Sequence, residues 1–234
     1  MAAMQKESDL AAENARLHGD LLTISSRVGH DLRTPLGGIA ATGQLLHEIL
    51  AENNLPVSFT QSILDSIDDM TRLVKQISFV TRATANPIPK TKINMKESVN
   101  AALLRLESHV FKKNASLVQP DSWPQINGVA SWLEEVWWNL MSNSLRHATD
   151  PPRIELKWRE QDGWHRFEVC DQSGGVPDDI RPGLFQPFDT LHEFHGVKGL
   201  GLSIVQRLIM LQGGKCGYEP VPGGSCFHFL LPST

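Results

Sequence analysis

His30 is followed at once by Asp31, with Thr34 and Pro35 one helical turn later, in a stretch whose apolar spacing is that of a long helix. A neutral imidazole, with an unperturbed pKa of about 6.5, keeps a free ring nitrogen at neutral pH that can attack a phosphoryl group. The adjoining Asp31 carboxylate can accept the hydrogen bond of the other ring N–H and raise the nucleophilicity. On an ideal helix Thr34 stands about 40° from His30, whereas His30 lies about 160° from the apolar seam position Val28 and so points to solvent. Pro35 lacks the N–H that would have bonded the Asp31 carbonyl, which costs roughly 3 kcal/mol in a helix interior and weakens the helix just below the histidine. The expected gain is a bend there between catalytic states.

Four further segments carry chemistry-bearing residues. "NLMSNSLRHA" places Asn139 and Asn143 one turn apart; "CDQSGGVPDD" ends a strand-like run on Asp171 before a glycine pair; "LFQPFDT" carries Phe185 and Phe188; and "KGLGLSIVQRL" sets Gly199 and Gly201 at a helix start. Glycines before a helix let backbone N–H groups approach an anion, with the helix dipole favouring negative charge, so the last segment suits phosphates. An ionised Asp171 only accepts hydrogen bonds and can read an exocyclic amine such as adenine N6. Asn143 offers an amide oxygen to a hard cation that keeps most of its waters, as Mg²⁺ does. Taken singly, each has a plainer reading: a glycine turn, a strand-end aspartate, two helix-surface asparagines.

Helices and a sheet must position these groups. Leu10, Asn14, Leu17, Leu21, Ile24 and Val28 form one heptad run, and Leu32, Leu36, Ile39, Gly43, Leu46 and Leu50 a second. They join through an extra step of four, a stutter that falls on the His30 stretch. After a turn-like segment with Pro56, the spacing resumes at Ile63, Ile67, Met70, Val74 and Ile77, predicting a helical hairpin. Two such stripes have little else in the chain to cover them, so a four-helix bundle built by two chains, a homodimer, is expected. Paired prolines in "ATANPIPKTKINM" mark a linker over 86–93. Beyond it "MKESVNAALLRLESHVFKKN", "WLEEVWWNLMSNSLRHA" and "GLSIVQRLIMLQ" read as helices, and "RIELKWRE", "WHRFEVCD" and "SCFHFLL" as strands. The predicted architecture is multidomain: an all-α hairpin over 21–85, then an α+β two-layer sandwich over 94–234.

Composition narrows the partners. The 234-residue chain is 41% hydrophobic with a net charge of −4, so it lacks the basic excess that binds nucleic acid or anionic lipid. Cys170, Cys216 and Cys226 are odd in number and form no CxxC pair, which indicates neither a disulfide framework nor a zinc site and fits a reducing cytoplasm. No run is long and apolar enough to span a bilayer, and the N-terminus lacks a signal peptide's apolar stretch.

Together and in this order, the segments resemble those of the sensor histidine kinases of two-component systems. "HDLRTPL" matches the phosphoacceptor box, "NLMSNSLRHA" the N box, "DQSGG" and "KGLGL" the glycine boxes, "LFQPF" the F box, and "GGKCGYEPVPGGSCFHFLLP" the closing strands. The resemblance implies that Mg·ATP phosphorylates His30 with Asp31 as its general base, and that the phosphoryl group passes to an aspartate of a response regulator. It implies that Asn139, Asn143 and His147 face Mg·ATP, Asn143 holding the metal, and that Asp171 reads adenine. Gly175, Lys198, Gly199, Leu200 and Gly201 would line the nucleotide, under a lid at 189–197. Thr34 would position water for dephosphorylating the regulator, or cap the backbone at the proline kink. Residues 1–20 are expected to end a signalling helix from an upstream sensor absent from the chain. Related gyrase-type ATPases carry a water-activating glutamate at the position of Asn139, which disfavours plain hydrolysis here. An ATP-binding pseudokinase scaffold and a phosphatase-dominant core are the alternatives. Ser173 stands where the first glycine box has its first glycine, Gln172 where asparagine is common, and Val197 where the second box begins with glycine. Trp137 shares a face with Leu133 and Leu140 and is expected in the core; Trp138 has no assigned place.

Overall fold

The computed structural model describes residues 32, 34–85, 88–185 and 201–233, in two compact units that divide between Pro87 and Ile88. His30, Asp31, the heptad run from Leu10 to Val28, Phe188, the 189–197 segment, Lys198, Gly199 and Leu200 lie outside the described residues.

The first unit contains the predicted hairpin. Helix α1 (residues 34–52) stops where Asn54 takes a left-handed φ of 56°, a conformation asparagine tolerates. Leu55 N–H then bonds Leu50 O at 2.8 Å and Asn54 N–H bonds Ala51 O at 3.0 Å, satisfying the last carbonyls. Helix α2 (Ser58–Ala85) is anchored at its start by the buried Thr60, whose hydroxyl donates to Val57 O at 2.8 Å and lies 3.1 Å from His47 Nδ1. A Cβ at Gly43 would stand 3.2 Å from Leu64 Cδ2, so the glycine lets the helices come close. Within the hairpin the stripe divides by heptad position. Leu36, Gly43 and Ile67 are buried, while Leu32 before α1, Ile39 and Leu46 on α1, and Ile63, Met70 and Ile77 on α2, are each 42–50% exposed.

The second unit is the predicted two-layer sandwich. Its strands are β1 (Thr91–Asn94), β2 (Ser116–Val118), β3 (Gln125–Gly128), β4 (Arg153–Gln161), β5 (Trp164–Asp171), β6 (Lys215–Val221) and β7 (Gly224–Pro232). Its helices are α3 (Met95–Lys112), α4 (Ala130–His147) and α5 (Gly201–Leu211). β2, β4, β5, β7 and β6 form one sheet in that order, with only β2–β4 parallel, and β1 pairs with β3 in a separate antiparallel ribbon. Residues 91–93, read from sequence as linker, therefore belong to β1; the paired prolines stop a helix but do not prevent a short strand directly after them. Asn94 ends β1 and caps α3 by accepting from Lys96 N–H at 3.1 Å.

Trp137 is fully buried, as its helix face predicted. Its ring meets Phe229 at 5.3 Å and Phe167 at 6.1 Å edge-on, and its N–H donates to Met95 Sδ at 3.1 Å. Burying aromatics of this size is worth roughly 1.5–3 kcal/mol each, and the indole's polar atom is satisfied as well. This cluster fixes α4 on the sheet.

One cysteine expectation is corrected. Cys170 on β5 and Cys226 on β7 oppose each other in register and are joined in a disulfide across 56 residues. Local spacing carries no trace of it, because the pair is created by strand register. Cys216 remains free, and burial pushes its thiol up to about 12.

Candidate nucleotide-binding site

Helix α4 carries Asn139, Asn143 and His147 at intervals of four, hence on one face. Asn139 is buried, Asn143 half-buried and His147 exposed. The Asn139 Nδ2 donates to Glu135 O at 2.8 Å and to the Glu135 carboxylate at 3.2 Å. That carboxylate is in turn held by Arg105 Nη1 at 3.0 Å, and the guanidinium lies 4.8 Å above the Trp138 ring. Trp138 thus has a place: it backs the arginine that ties α3 to α4. With the amide nitrogen turned to an anion, Oδ1 must face the other way. It faces Gly201 at the start of α5, where a Cβ would stand only 3.0 Å from it. A larger residue there would press on the asparagine, and glycine allows the close approach.

Asp171 closes β5 and is 5% exposed. Ser144, also buried, donates its hydroxyl to Asp171 Oδ2 at 2.5 Å, while Oδ1 is buried with no hydrogen-bond partner. A buried carboxylate oxygen left unpaired is costly, and a donor N–H or O–H would offset that cost. One N–H of an exocyclic amine meets that need.

The turn after Asp171 is shaped by Gly174 and Gly175, with φ of 77° and 89°. Gly174 N–H bonds Gly223 O at 3.3 Å, and Val176 N–H bonds the Tyr218 hydroxyl at 3.0 Å. Ser173, the departure from the glycine box, is not among the residues with positive φ, and its hydroxyl donates to Ser225 Oγ at 2.8 Å. The backbone therefore does not require glycine at that position.

The fold brings Asn139 against Gly201, sets Asp171 beside Ser144 next to Asn143 in sequence, and places Gly175 on the turn that follows. Thr34 is exposed on α1 in the other unit. Glu135, Ser144, Tyr218 and Ser225 were not singled out from sequence. Glu135 continues the four-residue interval of the asparagines backwards by one turn, a signal that was available; Tyr218 and Ser225 meet the turn only through the sheet.

Two family models match the chain. The His Kinase A (phospho-acceptor) domain covers residues 21–86, and the histidine kinase-, DNA gyrase B- and HSP90-like ATPase covers 128–234. The sensor protein KdpD of Clostridium acetobutylicum is 27% identical over 97% of this chain and 26% of its own length. The sensory histidine kinase/phosphatase NtrB of Vibrio alginolyticus is 29% identical over 88% of this chain and 60% of its own. The chain spans about a quarter to a third of the first curated relatives it matches, at 26%, 36% and 26% of their lengths. Among solved structures, full-length ShkA in complex with AMPPNP has a TM-score of 0.66 at 24% identity, covering 90% of this chain and 45% of that one. Histidine kinase ThkA in complex with response regulator protein TrrA has a TM-score of 0.64 at 20% identity, covering 95% and 65%. These two likenesses concern the fold. With a phosphoacceptor hairpin followed by this ATPase sandwich, the chain belongs to the sensor histidine kinases of two-component systems.

Proposed function

We propose that the chain is the kinase core of a two-component sensor, which phosphorylates His30 from Mg·ATP and passes the phosphoryl group to an aspartate of a response regulator. The observation that carries this reading is Asp171: one carboxylate oxygen is fixed by Ser144 and the other is buried and unpaired, as an adenine amine requires. Asn143 presents a half-buried carboxamide, a hard oxygen donor that fits Mg²⁺ and would hold it with the phosphates. When bound, the ion neutralises charge on the phosphoryl group. His147, Gly175, Lys198, Gly199, Leu200 and Gly201 complete the nucleotide's surroundings in this reading, the α5 N-terminus favouring phosphate.

A ring nitrogen of His30 forms a bond to the γ-phosphorus as the bond to the ADP oxygen breaks, and ADP departs with the electron pair. Asp31 accepts the hydrogen bond of the other ring N–H and stabilises the positive charge that develops. Asn139 has no basic group at neutral pH, and its amide is engaged by Glu135, so it does not activate water. Thr34 is exposed on α1, where its hydroxyl could hold a water for the reverse reaction on the regulator. The relative NtrB is described as a kinase/phosphatase, which favours this second activity.

The uncovered rows Leu32, Ile39, Leu46 and Ile63, Met70, Ile77 support a homodimeric four-helix bundle. No helix among the described residues is long and apolar enough to cross a membrane. Incubation with γ-labelled ATP and Mg²⁺, then acid and alkali, tests the reading. Label on the chain that is lost in acid and survives base is expected; no label would favour a pseudokinase scaffold.

A further inference from the structure

A second cluster lies on β5 and β7, on the face of the sheet turned away from the helices. Phe167, Val169, Phe227 and Phe229 point from β5 and β7 into the core, so the alternate positions Glu168, Cys170, Cys226 and His228 occupy the opposite face of the sheet. There the register sets Cys170 opposite Cys226 and Glu168 opposite His228. Two sulfurs and a carboxylate oxygen, from Cys170, Cys226 and Glu168, lie within 4.8 Å of one another. Glu168 is buried, and its Oε1 is held by Arg166 Nε at 2.6 Å and Arg159 Nη1 at 3.1 Å. Neighbours that orient a carboxylate through one oxygen leave the other to ligate.

We infer that Cys170, Cys226 and Glu168 form a binding site for a soft divalent cation of the zinc class, filled when the two cysteines are reduced and closed when they are joined. A tetrahedral zinc ion with bonds of about 2.3 Å needs its sulfurs about 3.8 Å apart, within reach of opposed side chains on neighbouring strands. The Cα atoms of this pair are 4.0 Å apart. A dithiol reductant opens the disulfide: its two sulfurs become joined, and Cys170 and Cys226 each take up one of its protons. The cation then displaces both protons and forms two metal–sulfur bonds, with Glu168 as third ligand. Cys170 directly precedes Asp171 and Ser225 directly precedes Cys226, so the ion would tie β5 to β7 immediately behind the nucleotide carboxylate.

The test uses the whole chain, reduced with a dithiol that is then removed under nitrogen, with Zn²⁺ alone as probe. One equivalent of zinc retained through gel filtration is expected for the reduced chain and none for the oxidised chain, a comparison that needs no substitution. Co²⁺ in its place should give a thiolate charge-transfer band. Cys170→Ser and Cys226→Ser should each lower zinc affinity 100-fold or more, and Glu168→Gln by about tenfold. Cys216→Ser, on the other face of the sheet, should leave it unchanged. The inference is overturned if the reduced chain retains no zinc, or if the Cys170→Ser, Cys226→Ser double variant retains as much as the parent, which would place the ion on other groups. Neither result bears on nucleotide binding, which is measured separately.

Discussion

Ser144 donates its hydroxyl to Asp171 Oδ2 at 2.5 Å, joining α4 to the end of β5 inside the protein and leaving Oδ1 as the buried acceptor. The serine holds the carboxylate plane in one orientation, which fixes the direction of the unpaired oxygen. Asp171→Asn should weaken ATP binding by about 1.5–3 kcal/mol, the worth of a charge-assisted hydrogen bond. Ser144→Ala should lower thermal stability by about 1–3 kcal/mol through the stranded oxygen, and reduce affinity less than Asp171→Asn does. Calorimetric titration and melting separate the two; unchanged affinity in Asp171→Asn would remove that residue from the site.

His30→Gln should abolish labelling from γ-labelled ATP while ATP affinity and dimerisation stay as in the parent. Acid-labile phosphate on that variant would assign the phosphoacceptor to another of the chain's nine histidines.

Thr34→Ala removes a hydroxyl from an exposed helix position and leaves His30 and Asp31 in place. Autophosphorylation should continue while dephosphorylation of the cognate regulator slows tenfold or more, about 1.4 kcal/mol in barrier height. Equal loss of both activities would make the threonine a structural element of the proline bend.

Ile39 and Met70 lie in the middle of the two uncovered rows, at 50% and 42% exposure. Ile39→Glu or Met70→Glu should raise the dimer dissociation constant about 100-fold, about 2.8 kcal/mol, by burying a charge against apolar side chains. Sedimentation across a concentration series reads this directly, and an unaltered dimer would move the interface elsewhere.

Burial first, and then the nearby Arg166, lower the pKa of His228 below its ordinary 6.5. The unfolded chain therefore binds the proton more readily than the folded one, so this group's stabilisation is complete above pH 6.5 and is lost as pH falls below it. Glu219 is lowered by its hydrogen bond to Arg166, and its contribution is lost only further down, as pH falls below 4.5. The melting temperature should decline from pH 7.5 to 5.5, and His228→Gln should flatten that decline; an identical slope in the variant would assign the effect to other groups.

Much of this was legible in the sequence because periodicity and motif order are local records. The heptad spacing located the hairpin, and alternation located β4, β5 and β7. The face of α4 that carries Leu133 and Leu140 also placed Trp137 in the core. Residue type along one element reports which side is buried, and that requires no knowledge of what covers it. Relations between elements were decided only by tertiary structure. Ser144 became the partner of Asp171 because α4 packs on the end of β5, and Trp138 acquired a role because Arg105 arrives from α3. Cys170 met Cys226 because the register of β5 and β7 opposes them. Each depends on the angle and register at which separate segments meet, which side-chain packing across the whole core determines and no local spacing records.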